Sequence, residues 1–223
     1  MERHFHSALK DLKQKLLKMG FLVEEVIEQS IQALLNRDQK AARRVFEQEG
    51  IVNQMEIDID GDGHGLLALG QPMAVDLRLA TMILKINTDL ERMSDHAVNI
   101  AERALNLIKE PPLRVNVHLA EMTKATQKML HDALESFVNG DVEIARSVLQ
   151  SDDEVDAYND GLYAQLTALM EKDPKLTRIG MNIIMVGHNL ERIADLANNI
   201  AEDVLYVKQG KEVRHRIEAK DEV

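Results

Sequence analysis

A chain of 223 residues is long enough to bury a substantial core, as one domain or two. Its formal net charge of −11 argues against a general nucleic-acid or anionic-membrane binder, since both need surplus Lys and Arg. Cysteine is absent, which excludes a disulfide framework and any thiolate metal site, and with no Trp and 3 % aromatics the core must be aliphatic and Met-filled.

The first 14 residues, MERHFHSALKDLKQ, hold no apolar stretch of signal-peptide length, and nowhere do about 18 apolar residues run together. A soluble cytoplasmic protein is expected. Apolar residues then recur at three- and four-residue steps (Leu9, Leu12, Leu16, Met19, Val23, Val26, Leu34), predicting a first helix over 7–35. Asn36-Arg37-Asp38 forms a turn whose Asp38 can cap a second helix over 39–69, softened at Gly61, Gly63 and Gly65. Pro72 suits the first turn of a third helix that runs to Lys109 and stops at Glu110-Pro111-Pro112. A fourth helix covers 116–138 and ends at Asn139-Gly140. Asp141 caps a fifth, which ends before Asp173-Pro174, and a sixth covers 176–208. No segment alternates apolar and polar residues as a half-buried strand would. The expected fold is all-α, with six long helices in two tandem three-helix bundles over 1–111 and 112–208 and a polar tail over 209–223.

The chain also repeats itself. DLERMSDHAVNIAERAL at 89–105 returns a hundred residues later as NLERIADLANNIAEDVL, keeping Leu90, Glu91, Arg92, Asp95, Asn99, Ile100 and Glu102. Upstream, Asn36-Arg37-Asp38 with Ala42, Arg43 and Val45 matches Asn139-Gly140-Asp141 with Ala145, Arg146 and Val148. Matches in one order with a slowly drifting offset indicate a duplication with small insertions. In that register Glu49 pairs with Asp152 and Asn53 with Asp156.

On a helix, Glu91, Asp95, Asn99 and Glu102 share an arc of roughly 80°, opposite the apolar residues Ile86, Leu90, Met93 and Ile100. Glu191, Asp195, Asn199 and Glu202 do the same, and His188 extends their stripe by a turn. One reading is simply the solvated side of an amphipathic helix. The other is metal binding, because solvated faces drift in sequence and these carboxylates stand in both copies. Antiparallel neighbouring helices can bring Glu49 and Asn53 beside Glu91 and Asp95, and Asp152 and Asp156 beside Glu191 and Asp195. Oxygen donors at i,i+4 from two helices suit hard or borderline cations such as Mg²⁺, Mn²⁺, Fe or Ca²⁺.

The doubled ER-x-x-D phrase, the segment PMAVDLR at 72–78, KMGFLVEEVIEQSI at 18–31 and RDQKAARRV at 37–45 together resemble the PhoU family of phosphate-signalling accessory proteins. The resemblance covers about residues 5–208. It implies two three-helix bundles, frequent dimerisation, and iron or zinc bound at surface E(D)-x-x-x-D pairs. Those pairs fall here on Glu91 and Asp95 with Glu49, and on Glu191 and Asp195 with Asp152 and Asp156. Asn53 departs from the pattern and carries less charge than Asp156, so the first site is expected to be the weaker. The implied partners are a PhoR-like sensor histidine kinase and the PstB-like ATPase subunit of a phosphate ABC transporter, with at most peripheral contact with the membrane. The implied role is a non-enzymatic negative regulator of the Pho regulon.

Two other classes stay open: a carboxylate-bridged di-metal enzyme on a helical bundle, and a metal-free helical scaffold. Against the enzyme, neither Glu91 nor Glu191 is followed at i+3 by His, as that class requires. Asp58, Asp60 and Asp62 before Gly63 imitate the start of an EF-hand loop, but its twelfth position is Leu69 rather than Glu.

Overall fold

The computed structural model of the chain describes residues 2–70, 73–113 and 117–209. They form α1 (Glu2–Leu35), α2 (Gln39–Gly70), α3 (Ala74–Ile108), α4 (Leu119–Asn139), α5 (Val142–Lys172) and α6 (Thr177–Gln209), with a short 3₁₀ turn at Pro174–Leu176. No strand occurs among the described residues. The expected start at Pro72 and the polar tail beyond Gln209 lie outside the described residues.

The turns repeat as the sequence does. Asp38 accepts hydrogen bonds from the amides of Lys40 (2.8 Å) and Ala41 (3.2 Å), and Asp141 accepts from Glu143 (2.9 Å) and Ile144 (3.2 Å). Each cap satisfies amides that the first helical turn leaves without a partner. The residue before each Asp is left-handed, Arg37 with φ 56° and Gly140 with φ 62°. Arg37 tolerates this while its guanidinium bonds the carbonyls of Ile108 (2.9 Å) and Glu110 (2.5 Å), closing the C-terminal end of α3.

Helices α1, α2 and α3 pack into one bundle and α4, α5 and α6 into another. The bundles meet along α3 against α6 and α1 against α4, while α2 and α5 touch only helices of their own half. Lys85 near the start of α3 pairs with the buried Asp203 near the end of α6, and His96 donates from Nδ1 to Asn189 Oδ1 (2.9 Å). These pairs make α3 and α6 antiparallel. In the same way, Lys13 meets the carbonyl of Val138 (3.0 Å) and Glu24 meets His131 (3.1 Å) between α1 and α4. One apolar core runs through both bundles, from Leu16, Met19 and Ile27 through Leu90 and Met93 to Leu190 and Ile193.

Helix α2 corrects one expectation. It is continuous through Gly61, Gly63 and Gly65 rather than loosened there, so Asp58, Asp60 and Asp62 lie on a helix and cannot form a calcium loop. The three glycines differ in surroundings. A Cβ at Gly63 would fall 2.4 Å from Leu84 Cδ2, whereas Gly61 and Gly65 have nothing within 4 Å. Gly61→Ala and Gly65→Ala are therefore expected to stabilise the fold by about 0.5–1 kcal/mol each, the helix-propensity gain. Gly63→Val should instead destabilise it by about 1–3 kcal/mol through overpacking against α3. Chemical denaturation of the three variants checks both signs.

Candidate functional site: two carboxylate clusters

Each cluster lies along the seam between an outer helix and the helix it covers. In the first half α2 supplies Glu49 and Asn53, and α3 supplies Glu91 and Asp95. Glu49, Asn53 and Glu91 are half-buried and Asp95 is exposed. Asn53 donates to Glu49 Oε1 (2.6 Å). Burial pushes the Glu91 carboxyl above its ordinary range, and the charges of Asp95, Glu56 and Glu49 push it further. Asp95 is raised by burial and by Glu49. Across the two helices, Glu49 thus lies within electrostatic reach of both Glu91 and Asp95.

The second half repeats the arrangement. Asp152, Glu191 and Asp195 are half-buried and Asp156 is exposed. Asp152 is raised from 3.8 to about 6, first by burial and then by the charges of Asp156 and Asp195. Asp156 is raised by burial and by Glu191 and Asp195, and Asp195 by burial and Glu191 against the opposing pull of Arg192. Arg192 pairs with Asp195 (2.8 Å). His188 reaches Glu191 Oε2 at 3.3 Å, the place its spacing predicts.

Three participants escaped the sequence reading: Glu56, Asn159 and Asn198. Asn159 donates to Glu191 Oε2 (3.0 Å), and Asn198 beside Asp152 opposes the upward push on its carboxyl. The duplication register that pairs Glu49 with Asp152 also pairs Glu56 with Asn159, so the signal was present. It changes the comparison of the halves. Where the first half has Asn53 and Glu56, the second has Asp156 and Asn159. Asp153 and Asp160 also repel the second cluster, so the exchange of Asn53 and Glu56 for Asp156 and Asn159 does not make the two halves equal in charge.

The donor set suits a hard or borderline cation in kind, since every donor is an oxygen. Asn53 Oδ1 and Asp152 Oδ1 are buried without a hydrogen-bond partner, the condition a cation would relieve. As placed, no three acidic or histidine side chains among the described residues converge closely enough to hold an ion. The carboxylates would have to turn inward to bind one.

A family model described as "PhoU domain" matches the chain twice, over residues 16–104 and 119–204. The chain is 38 % identical over 216 residues to the phosphate-specific transport system accessory protein PhoU homolog of Pseudomonas aeruginosa, covering 96 % of this chain and 89 % of that protein. The crystal structure of PhoU from Pseudomonas aeruginosa superposes with a TM-score of 0.91 at 38 % identity, over 93 % of this chain and 100 % of that one. The phosphate transport system regulatory protein PhoU from Streptococcus pneumoniae superposes with a TM-score of 0.87 at 32 % identity, over 94 % and 99 %.

Proposed function

Because the chain belongs to the PhoU family, we propose that it is an accessory regulator of phosphate-specific transport that silences the phosphate-starvation response when phosphate is plentiful. The observation that supports this reading most is that the likeness runs through both halves and nearly the whole length of relatives named as accessory proteins. No described helix is long and apolar enough to cross a membrane, which suits a cytoplasmic protein that meets membrane complexes from one side.

It acts by contact rather than catalysis. The partners are a PhoR-like sensor histidine kinase and the PstB-like ATPase subunit of the phosphate transporter, and the working form is a homodimer. The two carboxylate clusters hold metal ions, iron or zinc by family resemblance, with Mg²⁺, Mn²⁺ or Ca²⁺ also compatible with oxygen donors. Bound metal offsets the crowded charges of Asp152, Asp156, Glu191 and Asp195 and fixes α5 to α6 at the surface presented to partners. The di-metal enzyme reading is disfavoured because Glu191 is paired to Asn159 and His188 at a half-exposed seam instead of facing a bundle interior.

Deleting the gene tests this. Phosphate-starvation genes should stay on in rich phosphate, and the purified protein should retain the kinase and the transporter ATPase at low salt. Acidic surfaces favour basic partners, so retention should weaken as salt rises. Normal repression in the deletion strain, together with no retention of either partner, would sink the proposal.

A further inference from the structure

A cavity of about 390 Å³ opens at one end of the seam between the two halves, lined by none of the cluster residues. It lies where the first turns of α3, the ends of α4 and α6, and Lys13 of α1 meet. Lys13, Arg78 and Lys208 line it from three different helices, beside Asn139 and an apolar wall that includes Leu79 and Val204. Among the described residues no Asp or Glu lines it, although the chain holds 38 acids against 27 Lys and Arg. In so acidic a protein, three converging cations mark a local reversal of field.

The duplication supplies an internal comparison. Arg78 of α3 corresponds to Arg178 of α6, and Arg178 pairs with Glu110 (3.1 Å) just beyond the end of α3. At the equivalent sequence position, a hundred residues after Glu110, stands Gly210 rather than an acid. Arg78 is half-buried, and its Nε is buried with no hydrogen-bond partner. A guanidinium taken from water without a counter-charge is costly unless something pairs with it. Lys13 shows the same strain: burial, and then the charge of Lys208, hold its ammonium below the ordinary range. Its remaining contacts are the Val138 carbonyl and the face of Phe137, 5.1 Å from the ring centre. Among the described residues, one arginine of the duplicated pair has an internal counter-charge and the other has none.

We propose that this cavity binds a phosphoryl dianion, either free or carried as a monoester, with Arg78 as the principal ligand and Lys13 and Lys208 beside it. A planar fork taking two oxygens, with two point charges alongside, suits a tetrahedral and doubly charged group better than a flat, singly charged carboxylate. The cavity exceeds one ion in size, and its apolar wall can take the body of an ester.

Calorimetric titration of the full chain at low ionic strength tests this, with inorganic phosphate, phenyl phosphate and benzoate as probes. At least one phosphate probe should saturate at millimolar concentration or below, and benzoate should not. Tighter binding of phenyl phosphate assigns a monoester, and equal binding assigns free phosphate. Arg78→Ala should weaken binding about tenfold or more, as expected for a lost charge-assisted bond pair. Arg178→Ala should leave it unchanged. Arg78→Lys, which keeps the charge and guards against misfolding of the alanine variant, should bind with intermediate affinity. Failure of both phosphates to saturate, equal binding of benzoate, or equal effects of Arg78→Ala and Arg178→Ala would each overturn the proposal.

Discussion

Leu90→Ala and Leu190→Ala are each expected to cost about 3 kcal/mol of stability, within the usual range of about 2–5 for a buried leucine. Both side chains are 0 % exposed. Each sits at the same point of a duplicated helix, and each of those helices touches both helices of its own bundle and its counterpart across the seam. The loss therefore has two parts, the transfer of the removed methyl groups and a cavity that neighbours on three sides cannot close. Because one apolar core spans both halves, damage at either position should lower a single cooperative transition for the whole chain. Thermal denaturation should show that transition several degrees lower, at roughly 2–4 °C per kcal/mol for a protein of this size. Two resolved transitions, with only the mutated half shifted, would show that the bundles fold independently.

The fold was largely legible because its determinants are local. Three- and four-residue apolar spacing, Asp38 and Asp141 at their caps, and the left-handed position before each Asp all act within a few residues. The pairing of α2 with α3 and of α5 with α6 could be argued because the duplicated carboxylates had to meet something. Contacts across the seam could not be read. Lys85 with Asp203 and Arg178 with Glu110 join residues whose sequence context says nothing of each other, because apolar periodicity gives a buried face without naming the helix that covers it. Gly63 was misread for the same reason. Glycine in a helix usually weakens it, and only the position of Leu84 reveals a close approach of α3. The role of Glu56 was legible in principle, since the register that relates Asn53 to Asp156 relates Glu56 to Asn159.

Asp152→Asn should raise the stability of the metal-free protein at pH 7.5 and lower its response to a divalent cation. The folded protein holds Asp152 at about 6 against an ordinary value of 3.8, so folding favours the protonated form. A raised carboxyl opposes folding once ionised. Its penalty is absent below about pH 3.8, grows as pH rises toward 6, and is complete above it. The full shift would correspond to roughly 3 kcal/mol at 1.36 per unit, and solvent at this half-exposed seam reduces that to about 1–2. Asparagine keeps the side chain's shape and removes the charge that Asp156 and Asp195 repel. With chelator present, the variant should be more stable than the parent at pH 7.5 by about 1 kcal/mol, and indistinguishable from it near pH 3.5. A cation reverses the ranking, because it binds the folded parent through the crowded charge the variant lacks, and stabilises in proportion to the logarithm of its occupancy. Titrating Mn²⁺ against the melting temperature of both proteins at pH 7.5 should therefore lift the parent past the variant. Parallel curves, or a variant that is less stable than the parent in chelator, would show that the repulsion at Asp152 is neither relieved by asparagine nor held in reserve for a metal.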